Sequence, residues 1–249
     1  MKALIDINNS IPGADAIAAG LRDHGPDPDN RVIYRGRNTV AVTAGDKPLC
    51  VKSFGVPGFI KGLIYGLLRT PKAKRAYDNA VRLRSLGFDT PEPVAAVCMI
   101  SGGRLGASYY VCRYLEGWSD LRGAENRPDF EALAHHLALL MNRLHTAGVL
   151  MKDFTQGNVL FRPDGNGGYS FALIDINRME FDVHDRRRLM ANFGAVLDTA
   201  EGLAVLAREY AALCPDPATV EREANEIYRR RQARLWRKRH IKEFLRGKK

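Results

Sequence analysis

Asp153, Asn158 and Asp175, two acids and an amide, fall within 23 positions of the chain. An apolar run follows Asn158 and another precedes Asp175, with the turn-rich PDGNGGYS between them. This pattern reads as an antiparallel hairpin of Asn158–Phe161 and Phe171–Asp175. Pairing Asn158 with Asp175 sets Phe161 opposite Ala172 and leaves both polar residues at the open end, with Asp153 on the loop just before. Carboxylate and amide oxygens gathered in this way suit a hard cation that keeps some of its waters and binds substrate phosphates, namely Mg²⁺. Each residue alone is also an ordinary cap or turn former, so the reading rests on the three acting together.

The elements that must position them form two blocks. Arg31–Ser53 predicts three short strands, RVIYR, TVAVT and PLCVKS, in an antiparallel meander. Phe59–Arg69 has apolar pairs at helical spacing, with Gly58, Gly62 and Gly66 along another face. A helix follows from about Lys72 to Leu86, ended by Gly87. PVAAVCMI and ASYYVCRYL predict two further strands. A five-stranded sheet with one or two helices over residues 31–113 is expected, preceded by an extension over 1–30. From 114 to 249 the chain turns helical. Phe130–Thr146 carries Leu133, Leu137, Leu140, Met141 and Leu144 on one stripe, and further helices run from about His184, with Pro215 and Pro217 separating the last two.

Of 249 residues, 45% are hydrophobic and 27% charged, enough to bury a core. The longest apolar stretch, Phe59–Leu68, is interrupted by Lys61 and far short of the ~20 residues that span a bilayer. The N-terminus lacks the continuous apolar core of a signal peptide. The four cysteines, Cys50, Cys98, Cys112 and Cys214, form no CxxC and suit reduced thiols. These features argue against a disulfide-stapled, zinc-ribbon or integral membrane protein. The net charge of +10 is concentrated: residues 222–249 hold twelve Lys/Arg and three Glu, a net of +9, which leaves +1 for the rest. Such a segment either meets a polyanion or is a solvated helix end.

Asp153-x-x-x-x-Asn158, an Asp after an apolar strand, and Val51-Lys52 on an upstream strand together resemble the protein-kinase-like fold. More narrowly, the chain resembles the lipopolysaccharide inner-core kinases that act on Kdo and heptose. The resemblance runs from about Arg31 to Phe193 through YRGRNTVAV, LCVKSF, KAKRAYDNAVRLRSLG with TPEPVA, LHTAGVLMKDFTQGNVLF and ALIDINR. It implies an α+β, two-lobed fold with a small antiparallel-sheet N-lobe and a mostly helical C-lobe. ATP would lie in the cleft, with Arg113–Leu115 as the hinge. Lys52 would hold the α/β-phosphates as a point cation. Asp78 would orient that lysine, although it is one methylene shorter than the Glu usual in protein kinases. Asp153 would orient the attacking hydroxyl, and Asn158 and Asp175 would hold Mg²⁺.

The departures shape the substrate. Arg35-Gly36-Arg37-Asn38 is not GxGxxG, so Gly36 alone provides the turn and Arg37 would offer charge in place of backbone amides. Thr155 stands where protein kinases commonly carry a lysine, which makes Lys152 a candidate for that phosphate contact. Asp175-Ile176-Asn177 replaces DFG, and no APE sequence follows. The short run to His184 leaves little room for a peptide-docking segment and favours a small or glycan hydroxyl. Phe59–Leu68 would either lie in a membrane interface, flanked by Lys61, Arg69, Lys72, Lys74 and Arg75, or pack on the sheet. The basic terminal helix, bearing Leu235, Trp236, Ile241, Phe244 and Leu245, would attach to an anionic leaflet. The expectation is a cytoplasmic, peripheral enzyme phosphorylating a lipid-linked core sugar, with a protein or small-molecule kinase as one alternative. A pseudokinase-like binding module is another, and nucleic acid is the less favoured partner. His135-His136 face different sides of a helix, His145 reads as structural, and Arg186–Arg188 would hold an anion or remain a solvated run.

Overall fold

The computed structural model describes residues 2–246, and their contacts group into two units. The first runs to Glu116 and takes in Asp175–Arg178 from later in the chain. Its elements are β1 (Lys2–Ile7), α1 (Ala14–Asp23), β2 (Arg31–Arg35), β3 (Asn38–Val42), β4 (Leu49–Phe54), α2 (Phe59–Leu63), α3 (Lys72–Ser85), β5 (Pro93–Ser101) and β6 (Arg104–Arg113). The sheet has six strands in the order β1-β5-β6-β4-β3-β2, with every neighbouring pair antiparallel. The expected five strands are present, but residues 2–23 are not an extension. β1 pairs with β5 from Lys2 opposite Ile100 to Ile7 opposite Ala95. Ile11, Ala14, Ala18 and Leu21 are buried in one cluster with Leu49, Val51, Val94, Val97 and Val111. Removing this apolar surface from water ties the N-terminus into the core.

The helix expected over Phe59–Arg69 is divided. After α2 the segment Ile64–Leu68 continues as a π-turn, closed by the Arg69 amide donating to the Ile64 carbonyl at 2.8 Å. α3 ends as predicted, with Gly87 at φ 78°, a left-handed value that glycine adopts without steric cost. Cys50 and Cys112 stand directly opposite on β4 and β6, both free thiols.

The second unit comprises Gly117–Ile174 and the chain from Met179 onward. It contains β7 (Ser119–Asp120), α4 (Phe130–Thr146), β8 (Leu150–Met151), β9 (Val159–Pro163), β10 (Tyr169–Leu173), β11 (Met179–Glu180), α5 (Arg186–Met190), α6 (Ala200–Ala211) and α7 (Pro217–Arg246). α4 coincides with the predicted helix, and its Leu133, Leu137, Leu140, Met141 and Leu144 stripe is buried. β9 and β10 form the expected hairpin, but one residue out of the expected register. Phe161 faces Phe171 and Val159 faces Leu173, while the Ile174 amide donates to the Asn158 carbonyl at 3.0 Å. Asn158 therefore stands opposite Ile174, not Asp175. The turn sets this register: the Asp164 carboxylate accepts from the Asn166 and Gly168 amides at 2.8 and 2.9 Å. That closure pairs Pro163 with Tyr169. The ANFGAVLD stretch, expected to be helical, makes only a short turn over Ala191–Gly194. Lys248 and Lys249, and the side chains of Phe244 and Leu245, lie outside the described residues.

Candidate active site

Lys52 sits on β4, paired with Val40 on β3 and Tyr110 on β6. A strand flanked on both sides cannot shift without breaking two ladders, so the lysine stem starts from a fixed base. Its Nζ donates to Asp175 Oδ1 at 2.5 Å. Asn177 Nδ2 donates to the same oxygen at 2.6 Å, and Asn79 Nδ2, from α3, donates to the Ile176 carbonyl at 2.7 Å. Asp175 has φ 53°, a left-handed backbone uncommon for any residue but glycine and best tolerated by Asp and Asn. Two side-chain amides and one ammonium thus hold a short turn whose single carboxylate keeps its second oxygen, Oδ2, outside these bonds. Sequence reasoning found Lys52 and Asp175 but missed Asn79 and Asn177, although Asn177 stands in the ALIDINR stretch already singled out.

Asp78 does not orient Lys52. Its carboxylate accepts from Lys74, one helical turn earlier, at 2.9 Å, and Lys74 reaches Asp6 of β1 at 2.9 Å. The short Asp side chain closes this local pair, and Asp175 takes the place beside Lys52.

The expected glycine turn is built differently from a phosphate-cradling loop. The Gly36 amide donates to the Asn38 carbonyl at 3.0 Å. A Cβ on Gly36 would meet the Tyr34 hydroxyl at 2.6 Å. The Gly55 backbone, at the end of β4, lies so near that a Cβ there would come within 2.5 Å of the Arg37 carbonyl. At Gly55 the close neighbour is backbone, so glycine is needed there, whereas at Gly36 it is the end of the exposed Tyr34 side chain, which can turn aside. At the other end of the sheet, the Arg113 amide donates to the Glu92 carbonyl at 2.9 Å and its guanidinium lies 3.7 Å from the Glu92 carboxylate. Leu115 follows, one residue before the unit ends at Glu116.

In the second unit, the Asp153 carbonyl accepts from the Thr155 amide at 2.8 Å and from Asn158 Nδ2 at 2.9 Å. Phe154 between them is fully buried and anchors the loop. Spending the Asn158 amide nitrogen on the loop leaves its Oδ1 as the atom able to ligate. Lys152 is engaged elsewhere: it pairs with Glu180, which also pairs with Arg188. Asp185 caps α5 by accepting from the Arg187 and Arg188 amides, and Arg186 pairs with Glu223 on α7 at 2.7 Å. The Arg186–Arg188 run is therefore partly structural.

A buried network supports this loop. Asn192 Nδ2 donates to the Met151 carbonyl at 2.7 Å, two residues before Asp153. That bond fixes the amide so that its Oδ1 faces His145 Nε2 at 3.1 Å. An oxygen there requires a proton on Nε2, so Nδ1 is the acceptor for the Tyr210 hydroxyl at 2.8 Å. Burial pushes the His145 imidazole down to about 4, although the bond to Asn192 acts in the opposite direction. His145 is structural, as predicted. His135 pairs with Glu209 and His136 with the Ala132 carbonyl, so the two do not share a ligand.

The residues available for a metal are few. Among the described residues, no group of three or more His, Cys, Asp or Glu is placed to hold one. Asp175 Oδ2 in the first unit and Asn158 Oδ1 in the second are each hard oxygen donors of the kind Mg²⁺ takes alongside waters and phosphate oxygens. Among the described residues, no helix is long and apolar enough to cross a membrane.

An antiparallel sheet with a strand lysine salt-bridged to an aspartate, followed by a helical unit with an Asp-x-x-x-x-Asn loop, is a protein-kinase-like α+β architecture. Among solved structures the chain is similar to WaaP in complex with acyl carrier protein, with 19% identity over 92% of this chain and 100% of that one and a TM-score of 0.57. It also aligns with the Rio2 kinase–ADP/Mg²⁺–phosphoaspartate complex from Chaetomium thermophilum, with 17% identity over 89% and 76% of the two chains and a TM-score of 0.48. No curated protein matches it in sequence. The chain belongs to the lipopolysaccharide kinase (Kdo/WaaP) family, whose profile matches residues 55–215. It is accordingly a kinase of the lipopolysaccharide core, and kinases of this kind use ATP. The matched range begins after β4, so the placement of Lys52 rests on its own geometry, the ion pair with Asp175.

Proposed function

We propose that the chain transfers the γ-phosphoryl group of ATP to a Kdo or heptose hydroxyl of a lipid-linked core acceptor. The observation that carries this reading is the Lys52–Asp175 pair at 2.5 Å, a cation beside the carboxylate that would otherwise face a metal and phosphates. Lys52 would hold the α/β-phosphates, and Gly36, Arg37 and the backbone of Arg113–Leu115 would contact the rest of the nucleotide. Asn158 and Asp175 would be the protein ligands of Mg²⁺. The bound ion supplies charge neutralisation for the nucleotide phosphates.

Asp153 would align the acceptor hydroxyl and take its proton as the oxygen bonds to the γ-phosphorus and the bond to the β-phosphate oxygen breaks, releasing ADP. The transition state is loose, so alignment and charge matter more than base strength. Only residues 181–185 lie between β11 and α5, which supports a glycan acceptor over a polypeptide one. Phosphate contacts would fall to Lys52 and Arg37, since Lys152 is tied to Glu180.

The basic helix α7 would hold the enzyme on the anionic inner face of the cytoplasmic membrane, where each cation near the surface contributes about 1 kcal/mol. Incubation with γ-labelled ATP and a panel of Kdo- and heptose-bearing lipid A precursors tests the proposal. Label found by mass on a core sugar supports it; no transfer to any of them overturns it.

A further inference from the structure

The first unit presents an apolar ridge with the usual amphipathic order inverted. Gly58, Gly62 and Gly66 recur every fourth residue, and the latter two lie against the β5–β6 hairpin. A Cβ on Gly66 would come 2.0 Å from the Gly103 carbonyl, and one on Gly62 2.6 Å from Arg104 Cγ. A surface helix normally turns its large apolar side chains to the core. Here the glycine face takes that side, and Phe59, Ile60, Leu67 and Leu68 are left 65, 74, 67 and 84% exposed, with Val56 at 61% beside them. The π-turn adds a residue to the last turn, a device frequent at functional sites, and leaves the adjacent Leu67 and Leu68 both outward.

The charge around this ridge has one sign. Residues 47–77 contain seven Lys/Arg and no Asp or Glu, and residues 99–107, which include the hairpin turn, add Arg104 and no acid. Arg104 stacks over the Phe59 ring at 5.4 Å and Arg69 over the Tyr65 ring at 5.7 Å. Asp6 and Asp78 share Lys74, and Asp23 is paired with Arg22.

We propose that residues 56–69 insert into the interfacial layer of an anionic lipid bilayer, with Ile60, Leu67 and Leu68 among the acyl chains and Lys61, Arg69 and Arg104 at the headgroups. Exposed aliphatic side chains on a segment whose own charges, Lys61, Arg69 and the adjoining Arg104, are all positive match a leaflet that is apolar inside and negative at its surface. The rim offers donors only, which suits phosphate headgroups, whereas a protein interface usually pairs donors with acceptors. The inference rests on the kinase reading only in that a bilayer-borne acceptor gives the contact a use.

Flotation of the full chain with vesicles of phosphatidylethanolamine and phosphatidylglycerol tests it. The Ile60→Ser/Leu67→Ser/Leu68→Ser variant is expected to bind at least about tenfold more weakly while keeping its melting temperature. It should also keep its activity on a delipidated, water-soluble core acceptor. In a second measurement, Leu68→Trp should be quenched by brominated acyl chains in the same vesicles. Unchanged flotation of the triple variant, or an unquenched Trp, overturns the proposal. So does a dimer that dissociates in the triple variant while vesicle binding persists, which would assign the ridge to a second copy. Failure of the unaltered chain to phosphorylate the soluble acceptor would count against the kinase reading and leave the flotation result standing.

Discussion

Lys52 and Asp175, 123 positions apart in sequence, meet through an ammonium–carboxylate contact of 2.5 Å on the same oxygen that Asn177 also holds. If this pair serves the nucleotide, Lys52→Met and Asp175→Asn should each lower kcat/KM by about 100-fold or more, in the range found when one electrostatic partner is removed. Because the two side chains touch, the double variant should lose less than the sum of the single effects. Steady-state kinetics on a Kdo-bearing acceptor, with melting curves to exclude unfolding, measure both quantities.

If Asp153 takes the hydroxyl proton as proposed, Asp153→Asn keeps the size of the side chain and removes that acceptor. Phosphoryl transfer should fall by about 10²–10⁴-fold, while ATP affinity measured by titration calorimetry stays within about twofold, since the lost interaction belongs to the other substrate.

The neighbouring residues Asp78 and Asn79 separate two views of α3. Asp78 is in an exposed pair with Lys74, so Asp78→Asn should cost under about 1 kcal/mol and change kcat/KM little. Asn79→Ala removes the bond to the Ile176 carbonyl and frees the turn that carries Asp175. A drop of about tenfold in kcat/KM is expected, as for a change that misplaces a reacting group. Equal effects from both variants would restore Asp78 to the role expected from sequence.

His145 gives the second unit a pH dependence of known sign. Its folded-state value of about 4 lies below the ordinary 6.5, so the unfolded chain binds the proton more readily. Stability is full above about pH 6.5 and declines as the pH falls towards 4. Between pH 7 and 5 the loss is about 2 kcal/mol at roughly 1.4 kcal/mol per unit. Urea unfolding at the two pH values should show this loss in the unaltered protein and a flatter response in His145→Gln.

Gly66→Ala forces a methyl to 2.0 Å from the Gly103 carbonyl, a backbone atom, whereas Gly62→Ala meets chiefly the flexible stem of Arg104, with the Leu105 carbonyl farther off at 3.3 Å. The first should lower stability by about 1–3 kcal/mol, as overpacking does, and the second by less. Thermal melts of the two variants test the order.

Local regularities read well from sequence. The leucine stripe of α4 stands at 3.6-residue spacing, and β2, β3 and β4 follow one another through short turns, so each could be read within a window of about fifteen residues. Features that depend on distant partners could not. β1 is short, charged at Lys2 and Asp6, and finds its partner in β5 some ninety residues later, so nothing near it marks a strand. Cys50 and Cys112, far apart in sequence, become neighbours only through the β4–β6 pairing. In the hairpin, alternation predicted the strands but not their register, which the Asp164 side chain sets by closing the turn. Among the candidate residues, Lys52, Asp153, Asn158 and Asp175 stood out by type and spacing, and the Lys52–Asp175 contact could not be read from spacing because 123 positions separate them. Helical periodicity cannot tell which of two adjacent residues reaches a neighbour, and it is Asn79, not Asp78, that binds the Asp175 turn.

The left-handed conformation of Asp175 sets backbone strain against side-chain bonding. A glycine at this position would relax the turn, which costs a non-glycine residue on the order of 1 kcal/mol or more, yet would delete the carboxylate. The same deletion leaves the Lys52 ammonium and the Asn177 amide without their shared acceptor, so relief of the backbone and loss of these bonds oppose one another. The unusual conformation is thus held by the side chain of the very residue that adopts it, and the bend keeps its shape only while that carboxylate is present.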